Sequence, residues 1–190
     1  MKITDICTQK NNPLKVSVFV DDKYAFSLDK DDPLSLKIKK DMEISDTQFY
    51  NFKMESDFSK AEKYAFDILS KKPYSKKELS DKLFKRGYEE ILIYELTDKL
   101  SDLGYLDDME YTKLFITYAK EKLWGNIKIK YELSKKGIDE GLIRQCLLED
   151  STDDTQDAIM SLIKTKYKGE DFSNMKTKAK NNKIYFAKGF

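Results

Sequence analysis

The sequence contains no histidine, which removes both the commonest general base of enzymes and the commonest metal ligand. It also has no Gly-x-Gly-x-x-Gly or Gly-x4-Gly-Lys loop to cradle nucleotide phosphates. Four aspartate doublets could suggest Mg²⁺ or Ca²⁺, but adjacent side chains point apart and none has the mid-loop glycine of a calcium loop. We therefore predict a non-enzymatic protein with no cofactor, metal or small-molecule substrate. The doublets are interpreted as helix caps and turns: Asp21–Asp22, Asp31–Asp32, Asp107–Asp108 and Asp153–Asp154.

Cysteine is scarce, because only Cys7 and Cys146 are present, and the two form no motif. No disulfide framework is implied, which suits a reducing cytoplasm. Cys146 falls on an apolar helical stripe and is predicted to be buried. No apolar run approaches the roughly 18 residues of a membrane span, and the N-terminus lacks the apolar core of a signal peptide. These absences predict a cytoplasmic protein with no membrane partner.

Proline and glycine divide the chain unevenly. All three prolines occur by Pro73, whereas all seven glycines occur at or after Gly87. Before residue 58, Leu14–Val20 and Tyr24–Leu28 alternate apolar and polar residues, which predicts a β-hairpin, with Ile3–Cys7 as a third strand. A short helix is expected over 34–40, and another is expected to begin at Ser45 or Asp46 and run through the 50s. We therefore predict an N-terminal β-hairpin and helix segment over 1–58.

From Ala61 onward the apolar residues recur with the 3.6-residue period of a helix. Ser75 and Glu78 form a capping box for a second helix, which should end at Gly87. We predict a three-helix repeat over 59–106. Its third helix carries Leu92, Leu96, Leu100 and Leu103.

The same pattern returns over 107–150, which predicts a second three-helix repeat. Its first helix should begin at Asp107 or Asp108, with Gly125 between the first two helices and Asp139 capping the third. Trp124, at a helix end, is expected to be partly exposed. The aromatic residues on helical stripes are predicted to be core rather than base-stacking surfaces, namely Tyr64, Tyr111, Phe115 and Tyr118, with Leu114 and Ala119 on the same stripe.

A basic-Gly-apolar sequence ends the second helix of each repeat, around Gly87, Gly137 and Gly189, spaced 50 and 52 residues apart. A partial third repeat is predicted over 151–190. It stops at Phe190, where its third helix should begin, so either the protein ends with an incomplete repeat or, as we favour, the sequence is part of a longer protein. The predicted fold is mainly α, with tandem three-helix repeats, the third incomplete, preceded by the small N-terminal β segment.

Positive charge is clustered although the chain is nearly neutral, with 35 Lys and Arg against 34 Asp and Glu. Basic residues gather on the second helix of each repeat, which is a usual footprint of phosphate binding. Lysines near helix ends also complement the helix dipole and solubilise a surface, and this interpretation stays open. The candidate nucleic-acid or filament-binding residues are Lys76, Lys77, Lys85, Arg86, Lys128, Lys130, Lys135, Lys136 and Lys188.

Several motifs in order resemble the RecX family. They are Gly104-Tyr105-Leu106-Asp107-Asp108, then Gly125, then Glu132-Leu133-Ser134-Lys135-Lys136-Gly137-Ile138, preceded by Tyr74-Ser75-Lys76-Lys77-Glu78-Leu79 and Lys85-Arg86-Gly87-Tyr88. The resemblance covers about 61–149, and 1–58 carry no motif that we can place. It implies tandem repeats that lie in the groove of a RecA–DNA filament and inhibit recombinase and ATPase activity. The implied partners are the RecA filament and single- or double-stranded DNA, through phosphate contacts.

Two other functions fit the same pattern. Three-helix units with a glycine turn also occur in helix-turn-helix DNA-binding proteins, and a helical array can be a scaffold that recognises only protein. Phosphate contacts make affinity fall with salt, by about 0.9 in log affinity per phosphate for each unit of log salt, whereas an apolar interface responds much less.

Overall fold

The computed structural model describes residues 1–150, with the side chains of Pro33 and Leu36 excepted. The predicted third repeat over 151–190, including Lys188 and the doublet Asp153–Asp154, lies outside the described residues. Three strands and seven helices make up the described part. They are β1 (Ile3–Gln9), β2 (Asn12–Val20), β3 (Lys23–Asp29), α1 (Pro33–Lys37), α2 (Asp46–Leu69), α3 (Lys76–Phe84), α4 (Glu90–Asp102), α5 (Asp108–Glu121), α6 (Asn126–Lys135) and α7 (Glu140–Glu149).

The three strands form one antiparallel sheet in the order β1-β2-β3, which confirms the predicted hairpin and its third strand. Val18 pairs with Ile6 on one side and with Phe26 on the other, and these side chains belong to the apolar core of the sheet. The β2–β3 turn consists of Asp21 and Asp22, at φ 46° and 63°. Two positive φ angles match the twist of a tight hairpin, and aspartate tolerates this conformation.

One apolar face of the sheet packs with α1 and the start of α2. Asp32 caps α1 by accepting a hydrogen bond from the Leu34 N–H at 3.0 Å. The doublet Asp31–Asp32 therefore contains a helix cap, as predicted. The core contains Ile3, Val18, Val20, Phe26, Leu28, Leu34, Ile38 and Ile44.

Helix α2 is longer than the sequence predicted. The change of pattern near residue 60 suggested a junction between two architectures, but one continuous helix runs from Asp46 to Leu69. Its start is fixed by a capping box between Ser45 and Gln48. No glycine or proline occurs between Ser45 and Pro73, so nothing interrupts the backbone hydrogen bonds where the buried side of the helix changes.

The described chain divides into two compact units, and the division falls within α3 and α4. The first unit comprises Met1–Lys72 and Lys82–Lys99; the second comprises Pro73–Asp81 and the residues from Leu100. In the first unit, the later part of α2 pairs with α4 through Lys99 and Glu62, whose charged atoms are 2.7 Å apart. Apolar side chains are buried in this helical part at Ala61, Ala65, Ile68, Leu83, Leu92, Ile93 and Leu96.

In the second unit, α5, α6 and α7 enclose a core of their own. Asp107 caps α5 and Asp139 caps α7, each accepting hydrogen bonds from two backbone N–H groups. Cys146 is 1% exposed, as predicted, and Trp124 is half-buried at the edge of the core. The buried core residues are Tyr111, Ile116, Ala119, Ile129, Leu133, Ile138, Ile143 and Cys146.

Two residues predicted on the apolar stripe of α5 and one predicted on the third helix of the first repeat are exposed. Tyr118 is 52% exposed and Leu114 is 49% exposed, because the buried side of α5 is centred on Thr112, Ile116 and Ala119. Leu103 is 57% exposed, since α4 ends at Asp102 and the chain turns at Gly104. The helical period was predicted correctly. Tyr111 and Ala119 are buried and Phe115 is partly buried, as predicted, whereas the placement of Leu114 and Tyr118 in the core was wrong.

Two glycines of the second unit adopt left-handed backbone conformations after helices, Gly104 at φ 75° and Gly137 at φ 78°. Their surroundings differ. A Cβ at Gly104 would meet nothing within 4 Å, whereas a Cβ at Gly137 would lie 2.3 Å from Cδ and 2.5 Å from Cβ of Lys77. Gly137 is therefore required both by its backbone angle and by the close approach of α3.

We predict that Gly137→Ala destabilises the protein more than Gly104→Ala does. Each substitution places a Cβ on left-handed backbone, at a cost of about 1–2 kcal/mol. Only Gly137→Ala adds a clash with Lys77. Urea unfolding of both variants measures the difference, and equal losses of stability would contradict the close approach.

Candidate nucleic-acid interface

The start of α3 is attached to the end of α6 through Ser75. This fully buried side chain accepts a hydrogen bond from the Glu78 N–H at 3.1 Å, while its own N–H donates to Glu78 Oε2 at 3.3 Å. The predicted capping box is therefore confirmed. The Ser75 hydroxyl also donates to the backbone carbonyl of Lys136 at 2.7 Å. Because Lys136 is the C-cap of α6, one hydroxyl satisfies orphan groups at the ends of two helices.

The side chains beside this contact form a second link, the Glu78–Lys136–Tyr111 cluster. Lys136 Nζ lies 2.5 Å from Glu78 Oε1, and the Tyr111 hydroxyl donates to Glu78 Oε2 at 3.0 Å. The same ammonium group lies 5.8 Å from the Tyr111 ring centroid and 5.6 Å from that of Phe115. The charged side chains of Glu78 and Lys136 are only 25% and 27% exposed. This cluster connects a residue of the first predicted repeat to two residues of the second.

Glu78 and Lys136 of the cluster stay charged at neutral pH. Burial alone would raise the pKa of Glu78, but hydrogen bonds from Lys136, Tyr111 and the Ser75 backbone lower that pKa below its ordinary value. Burial would lower the pKa of Lys136, but its hydrogen bonds to Glu78 and Tyr111 raise it. Burial raises the pKa of Tyr111, which keeps its hydroxyl available as a donor. The cluster is therefore an ion pair with a neutral tyrosine at neutral pH.

On the opposite side of α6, six residues form an exposed surface that we call the α6 face. The apolar members are far into solvent, with Ile127 68% exposed and Tyr131 60% exposed. The one acidic residue of α6 is Glu132, which is half-buried and 3.4 Å from Lys135 Nζ. None of the six is acidic, so the face is positive. Its members are Asn126, Ile127, Lys130, Tyr131, Ser134 and Lys135.

Lysines along α6 lie over aromatic rings four residues before them. Lys135 Nζ is 4.2 Å from the Tyr131 ring centroid, and Lys128 Nζ is 4.3 Å from that of Trp124. The Tyr131 side chain raises the pKa of Lys135, so this lysine stays charged. The α6 face thus joins a fixed positive charge to an exposed aromatic ring.

The predicted binding residues fall into different settings. Lys130 and Lys135 lie on the α6 face and Lys128 lies beside it, half-buried. Lys136 is held inside by Glu78. Lys77 is exposed, but its ammonium pairs with Asp81 at 2.8 Å.

The other predicted residues lie elsewhere. Lys76 is half-buried, and its backbone N–H donates to Asp108 Oδ1 at 2.9 Å. Lys85 and Arg86 belong to the first unit, where both are exposed and the Arg86 guanidinium carbon lies 3.6 Å from the Tyr64 ring centroid. Binding by any of these residues stays a prediction.

Sequence reasoning missed the exposed apolar members of the α6 face. Ile127 precedes Lys130 by three residues and Tyr131 precedes Lys135 by four. These helical spacings, which place each apolar residue beside a lysine, were the signal that the sequence offered. The exposure of Tyr131, two residues after the buried Ile129, could be predicted from the sequence only after the buried side of α6 had been identified.

Three family models match the chain in order. They are the regulatory protein RecX N-terminal domain at residues 1–45, the first RecX three-helix domain at 61–100 and the second at 107–147. The match over 1–45 assigns to the RecX N-terminal domain a segment in which we recognised no motif from the sequence.

Relatives extend the likeness over nearly the whole chain. Regulatory protein RecX of Bacillus licheniformis is 34% identical over 99% of this chain and 72% of its own. That of Clostridium perfringens is 31% identical over 100% of this chain and 90% of its own. Among solved structures, a crystal structure of regulatory protein RecX matches with a TM-score of 0.69 at 22% identity, over 100% of this chain and 94% of that one. The crystal structure of RecX from Lactobacillus salivarius matches with a TM-score of 0.61 at 28% identity, over 70% and 88%.

The fold and the matches together define a mainly α protein whose tandem three-helix domains follow a small antiparallel sheet along the chain, as predicted. The chain belongs to the RecX family of regulatory proteins.

Two further findings concern the described residues. Within residues 1–150, no helix is long and apolar enough to cross a membrane. Across the same described residues, no group of three or more Cys, Asp or Glu side chains is placed to hold a metal ion.

We predict that Glu78 and Lys136 are energetically coupled. A double-mutant cycle with Glu78→Gln and Lys136→Met should give a coupling free energy of about 1 kcal/mol or more, because the pair is partly buried and hydrogen-bonded. The matched control is the exposed pair Lys77–Asp81, which should show much weaker coupling. Urea unfolding measures both cycles, and similar coupling in the two would contradict a structural role for the cluster.

The same pair should make stability depend on pH. Because the pKa of Glu78 is lower in the folded protein than in the unfolded chain, its contribution is fully present above the ordinary glutamate pKa of about 4.3. That contribution is lost as the pH falls through the lower, folded-state pKa. The stability difference between the parent protein and Glu78→Gln should therefore be constant near neutral pH and should shrink over the acidic window below about pH 4.3. A difference that stays constant across this window would refute the pKa shift.

Proposed function

We propose that this protein is a non-enzymatic regulator that binds the RecA–DNA filament and inhibits recombinase and ATPase activity in recombination and DNA repair. Membership of the RecX family of regulatory proteins supports a regulatory role. The observation that carries the DNA contact is the positive α6 face, with Lys130 and Lys135 exposed and no acidic side chain among its members. Its place of action is then the cytoplasm, where RecA and DNA occur.

The α6 face is a better candidate for phosphate contact than the full set of basic residues. The Lys136 ammonium is already paired with Glu78, and moving it to a phosphate would leave a partly buried carboxylate without its partner. Lys130 is exposed on the α6 face, and Lys135 would give up only a longer contact, 3.4 Å to Glu132, against 2.5 Å between Lys136 and Glu78. A few modest contacts of this kind gain strength when several modules bind one filament, because the later contacts form at high effective concentration.

We predict that Lys130→Glu combined with Lys135→Glu weakens inhibition of DNA-dependent ATP hydrolysis by a bacterial RecA about tenfold or more, because two attractive phosphate contacts become repulsive. The measurement is the protein concentration that halves the ATPase rate. The matched control is Lys10→Glu with Lys23→Glu, two exposed lysines of the sheet segment that give the same change in net charge.

Several outcomes would count against the proposal. Full ATPase activity at saturating parent protein would exclude RecA inhibition. Equal weakening by the control pair would exclude the α6 face as the contact. Sequence-selective binding to duplex DNA without any recombinase would favour a helix-turn-helix function instead. Inhibition that barely responds to salt would indicate a scaffold that recognises protein only.

A further inference from the structure

The α6 face combines exposed apolar and aromatic side chains with exposed lysines. Ile127 and Tyr131 are one helical turn apart and are 68% and 60% exposed. Lys130 and Lys135 flank them on the same exposed side. Exposed aromatic residues and lysines are favourable where both an apolar surface and negative charge must be contacted.

Charge complementarity points to a polyanion. The face has two lysines and no acid, and the nearest carboxylate, on Glu132, is directed to Lys135. Acidic residues accumulate elsewhere in the second unit: Glu149 pairs with Lys113 at 3.3 Å, and Asp139 and Glu140 lie at the start of α7. The α6 face is therefore a positive surface, and the one acidic residue of α6, Glu132, lies outside it.

Tyr131 decides what kind of polyanion fits. The Lys135 ammonium lies over one face of its ring, 4.2 Å from the centroid, so a base on the other face would have a charge that can contact a phosphate nearby. In a duplex the faces of the bases are stacked on one another and are closed to a side chain. In a single strand every base has a π face that can stack on an aromatic ring, whatever the sequence.

We propose that the α6 face binds single-stranded DNA, with the Tyr131 ring stacked on a base and with Lys130 and Lys135 contacting the neighbouring phosphates. Ile127 extends the apolar surface next to the stacked base. The inference deepens the proposed function, on which it rests for the identity of the polyanion as DNA. It adds the strand type and the side chain that selects it.

The test uses fluorescence anisotropy of the full chain with a fluorescein-labelled oligothymidylate, in the absence of RecA. The single strand should bind about tenfold more tightly than the matching duplex. Tyr131→Ala should weaken single-strand binding about tenfold, which lies within the range for loss of one stacking ring. Tyr131→Phe should bind as the parent does. The control is Tyr94→Ala, which removes another exposed tyrosine, 66% exposed on α4.

A second probe separates stacking from charge. An abasic strand of the same length keeps the phosphates but has no bases. The parent and Tyr131→Ala should bind it equally weakly, whereas a purely electrostatic face would bind it as well as the oligothymidylate. Equal binding of duplex and single strand, or unchanged affinity of Tyr131→Ala, overturns the inference. Circular dichroism of each variant checks that its helices are intact.

The experiments distinguish failure of this inference from failure of the proposed function. If single-strand binding depends on Tyr131 but RecA activity is unaffected by the protein, the inference holds and the proposed regulation fails. If RecA is inhibited while the protein binds no single strand, the inference fails and the regulation holds. If Tyr131→Ala loses RecA inhibition but keeps its affinity for the single strand, the α6 face contacts protein, and the inference is wrong.

Discussion

The contact of Ser75 and Glu78 with Lys136 decides to which unit the start of α3 belongs. Ser75 caps α3, and its hydroxyl also donates to the backbone carbonyl of Lys136, the C-cap residue of α6, 61 residues away. Glu78 pairs with the Lys136 ammonium, which also lies 5.8 Å from the ring centroid of Tyr111 and 5.6 Å from that of Phe115. Helix ends are the places where backbone groups lack partners, so joining two ends satisfies both. Residues 73–81 accordingly group with α5, α6 and α7 rather than with the helices that precede them.

This contact also gives two neighbouring lysines different roles: Lys136 is paired inside the unit, and Lys135 is exposed to solvent. Lys135 and Lys136 are adjacent in the chain, but α6 turns them about 100° apart. Lys136 faces Glu78 and is 27% exposed, whereas Lys135 faces solvent and lies over Tyr131. Once the inward side of α6 is fixed by Ile129, Leu133 and Lys136, the outward side must carry Ile127, Lys130, Tyr131 and Lys135. The positive face and the buried ion pair are therefore two consequences of one helix orientation.

The close approach of α3 to Gly137 is a further constraint on the contact between α3 and the end of α6. Gly137 ends the turn after α6 at φ 78°, and the stem of Lys77 occupies the space that a side chain would need. The absence of a Cβ lets α3 come close enough for Ser75 to reach the Lys136 carbonyl. A glycine that looked like a helix terminator in the sequence thus also serves tertiary packing.

Local chemistry explains the parts that could be predicted. Alternation in Leu14–Val20 and Tyr24–Leu28 predicted the hairpin, and short polar side chains at Ser45, Ser75, Asp107 and Asp139 predicted helix starts, because these signals act within a few residues. The continuity of α2 through residue 60 was not predicted, since the change in pattern there reflects different packing on one unbroken helix. Tyr118 and Leu114 were misplaced because two adjacent stripes of α5 are apolar, and only contact with α6 and α7 selects one.

The sequence by itself determined the order of elements, the helix caps, the glycine turns and the motifs shared with the RecX family. Only the tertiary structure decided which charges are available, because a lysine's role depends on what lies across from it rather than on its neighbours in the chain. Nine basic residues were candidates from sequence. The packing of α3 against the end of α6 engages Lys136 with a carboxylate and leaves Lys130 and Lys135 exposed beside Tyr131.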